Sequence, residues 1–341
     1  NNTDLIATAV TATGSQNVSY ADSAGDLNGV TFTDSSTGTT TVIVNGVASG
    51  TDDLSFLAVD TIAVTANIGT ASGAAAILVA NNANIVISSD QGGGLHIDGK
   101  VNDDGRHFEA SEGTIDLSYL KLLGNGGQAD HGGCLNVQVS ATLILNYVVM
   151  ENCHATNNGG AVYADVAAKI AMTYVTIKDS IAVKQGAGMY IKDCPEVVMT
   201  HVEINTAKSG ERGGGMYVEK SGSAVCAVSI SDSTFTSCTA GTSGSEGYGG
   251  AIGVGGGTVT VAKTIFQSNS AKDRGGAVFV GTGTITFEKG IDFNNNQASE
   301  VGYSTLFKQS GTVTFPTCAA AEINVFMKVF GGDNQHKIGA M

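Results

Sequence analysis

The loop 98–105 is acidic and punctuated by glycines, and Asp98, Asn102, Asp103 and Asp104 in it are candidate oxygen ligands. Hard cations take carboxylate and amide oxygens, so Ca²⁺ is the one cofactor these residues suggest. The loop departs from EF-hand spacing, with Lys100 at the third position and no Gly at the sixth. A second set of polar residues sits immediately before a recurring doublet of small residues. It reads Asp130-His131, Asn157-Asn158, Lys184-Gln185, Glu211-Arg212, Gly247-Tyr248, Asp273-Arg274 and Glu300-Val301, and it holds two of the three arginines. Two readings fit this row. In one, Asp130, His131, Glu211, Arg212, Asp273 and Arg274 form a recognition edge for a glycan or a partner. In the other, they are solvated turns.

Catalytic chemistry finds less support. Glycoside hydrolysis needs carboxylates at a fixed separation, and a lyase needs acidic Ca²⁺ ligands with a nearby base. The position six residues after the first Gly of each doublet holds Gln138, Asp165, Lys192 and Glu219 in turn. Alternating sign reads as a surface salt-bridge ladder, each pair worth about 0–1 kcal/mol. The histidines His96, His107, His131, His154, His201 and His336 form no pair at i, i+2 or i, i+4. No catalytic residue is expected, and the chain reads as a non-enzyme.

The elements that position these residues follow from the doublet itself. It falls at Gly132, Gly159, Gly186, Gly213, Gly249 and Gly275, with an echo at Gly302, at a usual interval of 27 residues. A fixed period of this size marks a stacked repeat rather than a compact globule. Three short runs rich in Val, Ile, Thr and Phe follow each doublet, with apolar and polar residues alternating, as half-buried strands require. The spacing therefore predicts an all-β, right-handed parallel β-helix of about nine coils, each of about 27 residues with three short strands, stacked about 4.8 Å apart. Residues 1–30 are expected to form an N-terminal cap, 31–315 the β-helix, and 316–341 a C-terminal strand or cap. The doublet supplies backbone freedom at a corner. Two companion ladders accompany it: small residues two after the first Gly (Cys134, Ala161, Gly188, Gly215, Ala251, Ala277), and Cys153, Ser180, Ala207, Asn269 and Asn296 six before the next, joined by Cys238, which stands eleven before Gly249 because of the insertion between them. The 213-to-249 interval is longer than its neighbours, with extra residues near 221–226 and 241–247. Insertions in a solenoid map to loops on one face, and the Gly/Ser-rich second insertion suits a linker.

Six cysteines form no CxxC metal pattern. Cys134, Cys153 and Cys238 read as small buried ladder residues. Cys194 and Cys226 fall in the same turn of adjacent coils, where a disulfide and two free thiols fit equally well. Asn1-Asn2-Thr3 and Asn17-Val18-Ser19 are glycosylation sequons at Asn1 and Asn17.

The 341 residues include 47 Gly, 2 Pro and no Trp, and the net charge of −14 leaves no basic stripe to neutralise phosphates. Nucleic acid is therefore excluded as an expected partner. No apolar run approaches the length needed to span a bilayer, so no membrane insertion by this segment is expected. The start at Asn1, with no leader pattern, reads as a mature or excised segment.

Gly-Gly followed by small or aliphatic residues, with Phe-x-x-Asn upstream, resembles the repeats of the chlamydial polymorphic outer membrane proteins. The nearest stretch is Phe266-Gln267-Ser268-Asn269 leading into Gly275-Gly276-Ala277-Val278, followed by Phe293-Asn294-Asn295-Asn296. Gly159-Gly160-Ala161-Val162 and Gly249-Gly250-Ala251-Ile252 carry the doublet half, whereas Gly186-Ala187-Gly188-Met189, Gly213-Gly214-Gly215-Met216 and Cys238 depart from it. Similar repeats occur in pectin-lyase-like surface and secreted proteins. The resemblance covers residues 130–300 and implies a right-handed β-helix passenger acting as an adhesin. The expectation is thus a non-catalytic extracellular or cell-surface β-helix, adhesin-like or part of a surface filament. Its expected partners are a host or neighbouring-cell surface protein or glycan, or further copies stacked end to end. The alternative is a polysaccharide-active lyase, hydrolase or epimerase on the same fold.

Overall fold

The computed structural model describes residues 106–316, except 111–112, 125–128, 167, 223–224, 244–245 and 300–304, together with the backbone of strands between residues 9 and 98. The calcium candidates Asn102, Asp103 and Asp104, the sequon at Asn1, the Gly302 echo, Cys318 and residues 317–341 lie outside the described residues. Asp98 and Asn17 are described only as the ends of strands His96–Asp98 and Asn17–Ala21.

Alternating apolar residues become strands because each inward side chain finds the same kind of side chain one coil above and below. The chain forms a parallel β-solenoid of about seven turns, with no helix among the described residues. One coil runs through strands Leu135–Gln138, Thr142–Asn146, Val149–Glu151 and His154–Ala155. The next runs through Val162–Asp165, Lys169–Thr173, Thr176–Lys178 and Ile181–Ala182. Equivalent strands pair in parallel without slippage, as in the series Leu135, Val162, Met189, Met216, Ile252 and Val278. The six coils from Leu135 to Ala298 each contribute to four sheets rather than the three strands expected. The fourth strand is two residues long, too short to display the alternation that reveals the others.

Besides the turn at Val139, Val166 and Asp193, three corners use the left-handed backbone region. At the first, Gly132 has φ +63°, and a Cβ on Gly133 would stand 2.3 Å from His154 O and 2.4 Å from Gly160 O. The doublet thus answers two demands, a left-handed residue and then a residue without a side chain. The second corner uses Tyr119, Tyr147, Tyr174 and His201 at φ 54–58°, and the third uses Asn152, Asp179, Thr206, Ser237, Ser268 and Asn295. Each non-Gly residue there costs roughly 1–2 kcal/mol of backbone strain. The strain is offset by bonds to the next coil, such as Tyr147 N–H to Thr173 O at 3.0 Å and Asn152 N–H to Lys178 O at 3.2 Å.

The two small-residue ladders face each other across the interior. Where they hold Cys134 and Cys153, the thiols form a disulfide with Cα atoms 5.4 Å apart. Both are buried ladder residues, as the sequence suggests, but they are also bonded to each other, which it does not show, while Cys238 is a buried free thiol. The pairing considered for Cys194 and Cys226 is not formed. Both are buried free thiols, stacked in adjacent coils through the bond from Ala227 N–H to Cys194 O at 3.1 Å. The Cys194 thiol instead donates within its own turn to Lys192 O at 3.3 Å, and burial pushes its pKa up to about 12. Further along the second ladder, Asn269 and Asn296 are buried and linked, Asn269 Nδ2 donating to Asn296 Oδ1 at 2.9 Å.

Candidate functional site

Period-two alternation places the second residue of each first-sheet strand on the outer face, where a polar, wet side chain is the default. Here that position holds Asn136, Tyr163, Tyr190 and Tyr217, then Gly253, Phe279 and Phe307. The three tyrosines are nevertheless 3–8% exposed. Their rings stack along the axis, Tyr163 on Tyr190 at 5.3 Å and Tyr190 on Tyr217 at 6.1 Å, so each covers the faces of the next. His131 closes one end, 4.4 Å from the Tyr163 ring. At Gly253 the ladder lacks a side chain, and a Cβ there would lie 2.7 Å from Tyr217 Cδ2. Tyr248, from the preceding turn, lies instead on Phe279 at 4.9 Å.

The polar turns before the doublets form one wall of this aromatic strip. Within the wall, Asn157 Nδ2 donates to Asp130 Oδ1, Gln185 Nε2 reaches Glu211 Oε2 at 3.5 Å, and Asp273 Oδ2 accepts Gly247 N–H at 2.7 Å. The Arg212 guanidinium pairs with Glu246 and lies 5.5 Å from the Tyr248 ring centre. Arg274 lies 4.8 Å from the Phe307 ring centre. The second insertion, expected to act as a linker, therefore delivers the carboxylate that holds Arg212.

The opposite wall holds the residues expected to form a salt-bridge ladder. Asp165 accepts from Lys192 Nζ at 3.2 Å and from the Tyr163 hydroxyl at 2.8 Å. Glu219 accepts the Tyr190 hydroxyl at 2.6 Å. Past the N-terminal end of the ladder, Arg106 pairs with Glu109, which accepts from Asn136 Nδ2 at 3.3 Å. Burial raises the Tyr163 and Tyr190 phenols well above their ordinary range, and their carboxylate partners add to the effect. Burial also raises Tyr217, against the pull of Arg212. Burial lowers His131 and outweighs the attraction of Asp130. At neutral pH the strip therefore presents protonated phenols, a neutral imidazole and two guanidiniums stacked on rings. The ring faces of the three tyrosines cover one another, so what the strip offers to solvent is the hydrogen-bonding groups of its polar walls and the guanidiniums of Arg212 and Arg274 over Tyr248 and Phe307.

The structure thus brings His131, Arg212 and Arg274 to one surface, with Asp130, Glu211 and Asp273 beside them. The polar pairs before the doublet give no sign of the tyrosines. Their signal was present as an aromatic residue four positions after the first Gly in Tyr163, Tyr190, Tyr217 and Phe279. Among the described residues no group of three His, Cys, Asp or Glu side chains is placed to hold a metal. No protein-family model matches the chain, and no curated protein or solved structure matches it.

Proposed function

We propose that this chain is the β-helical rod of an extracellular or cell-surface protein, non-catalytic and adhesin-like, which holds a neutral glycan along the outer face of its first sheet. The observation that carries the reading is the pair of guanidiniums, Arg212 and Arg274, laid over Tyr248 and Phe307 at the edge of a stacked aromatic ladder. Guanidinium planes held over rings and flanked by fixed acceptors suit sugar rings, which present both C–H faces and hydroxyls. A net charge of −14 repels anionic polysaccharides and favours a neutral ligand. The Cys134–Cys153 disulfide supports an oxidising location outside the cytosol. The resemblance to passenger repeats of chlamydial polymorphic outer membrane proteins points the same way. A right-handed coil is supported by the strong chirality of parallel crossover connections. Partners on a host or neighbouring cell, or copies stacked into a surface filament, fit the same rod.

The test is a panel of neutral oligosaccharides screened for binding and for turnover. Binding without turnover, lost in the double variant R212A/R274A, supports the proposal. Cleavage of any glycan would replace it with the polysaccharide-active alternative.

A further inference from the structure

The second corner carries a different aromatic ladder, and this one is open to solvent. Tyr119, Tyr147 and Tyr174 are 42%, 47% and 45% exposed. Their rings are stacked, Tyr119 on Tyr147 at 4.9 Å and 5° and Tyr147 on Tyr174 at 4.7 Å and 10°. His201 continues the stack on Tyr174 at 4.4 Å. Each tyrosine occupies the strained left-handed position of its turn, where Gly or Asn would be easier to accommodate. The backbone clamps all three in register, through Tyr119 N–H to Asn146 O, Tyr147 N–H to Thr173 O and Tyr174 N–H to Thr200 O at 3.0–3.1 Å. The fold thus spends strained positions on a row of parallel, half-exposed phenols whose ring edges face water.

We propose that this row is a site of oxidative tyrosine cross-linking, in which Tyr147 couples to Tyr119 or to Tyr174 to make a covalent staple between adjacent coils. The oxidant is a haem peroxidase using hydrogen peroxide. Each of two phenols gives up one electron and one proton, and the peroxide takes both pairs to become two waters. The two phenoxyl radicals join through ring carbons next to the oxygens, forming one carbon–carbon bond. The hydrogens on those carbons then shift to the oxygens and restore two phenols, so the chain loses two hydrogens per staple. Partial exposure leaves the rings free to lean together, while the clamped backbone raises the effective concentration of one radical beside the other. The buried ladder supplies an internal contrast. Tyr163, Tyr190 and Tyr217 are enclosed, wider apart at 5.3 and 6.1 Å, and the first two donate their hydroxyls to Asp165 and Glu219. The staple lies at a different corner from the glycan strip and is independent of it.

The test treats dilute folded chain with peroxidase and limiting hydrogen peroxide, then follows dityrosine fluorescence, intact mass and the cross-linked peptides after digestion. The expected product is a monomer lighter by two hydrogens, with Tyr147 joined to Tyr119 or Tyr174. The variant Y147F keeps the ring and the stack and should lose the signal, as should Y119F/Y174F, which strips Tyr147 of both partners. Y190F should leave it unchanged. Coupling only between chains, coupling through the buried tyrosines, an undiminished yield in Y147F, or no dityrosine at all would overturn the proposal.

Discussion

Cys134 and Cys153 join the two facing small-residue ladders within a single coil, 19 residues apart in sequence with Cα atoms 5.4 Å apart. The backbone bonds between equivalent positions of successive coils run along the axis, whereas this one joins two different positions of the same coil.

Opening that bridge frees a loop of moderate length in the unfolded chain, which corresponds to about 3 kcal/mol. The variant C134A/C153A should lower stability by that order in urea unfolding at pH 7. Wild-type protein in reductant should match it. An unchanged midpoint in both would show that the bridge is not formed in solution.

Asn269 is a buried polar side chain of the interior with three hydrogen bonds. Its Oδ1 accepts Cys238 N–H at 3.0 Å, and its Nδ2 donates to Phe235 O and Asn296 Oδ1, both at 2.9 Å. Asn269→Ala strands a buried amide and a carbonyl, each costing about 1–3 kcal/mol. Asn294, on the exposed side of the same region, should tolerate Ala within about 0.5 kcal/mol. Equal losses at the two positions would contradict the ladder.

Tyr248 connects the cationic wall to the aromatic strip, lying between Arg212 and Phe279. Tyr248→Ala removes one ring stack and one cation–ring contact, each worth about 0.5–1.5 kcal/mol. The measured cost in chemical denaturation should be of that size, and Tyr248→Phe should recover most of it.

Acid should weaken the fold in two stages. Burial lowers the pKa of His131 and His154 below the ordinary 6.5. The unfolded chain therefore takes up protons first, and the stability these histidines contribute, complete above pH 6.5, is lost as pH falls through the folded values. Glu151 adds a later stage. Hydrogen bonding from Lys121, reinforced by Lys178, outweighs burial and holds it below its ordinary 4.5. Its contribution persists above that value and disappears on further acidification. The thermal midpoint should fall from pH 7.5 to 5.5, and H131Q/H154Q should flatten that slope. A slope unchanged in the double variant would contradict the assignment.

The sequence made the axial direction of the fold legible. The Gly doublet, the small residues after it and the Cys/Asn positions before it each named their neighbours one coil away, because a repeat places like upon like. It did not reveal what faces what within a coil. The Cys134–Cys153 bridge lies there, and periodicity says nothing about distances across the interior. The buried tyrosines were hidden for another reason. Alternation marks Tyr163, Tyr190 and Tyr217 as outward and hence wet, and they are buried through stacking on one another and on His131. The row around Arg212 and Arg274 was visible as charge before a turn, but its aromatic floor was not.

The central claim is that this strip is the recognition surface. The most direct measurement is the dissociation constant of a neutral oligosaccharide for wild type, for R212A/R274A and for K169A, whose lysine lies on the outer face of the second sheet. The account predicts binding weakened about tenfold or more in the double variant, about 1.4 kcal/mol, with K169A like wild type. Equal affinity in all three, or equal loss in both variants, would contradict it.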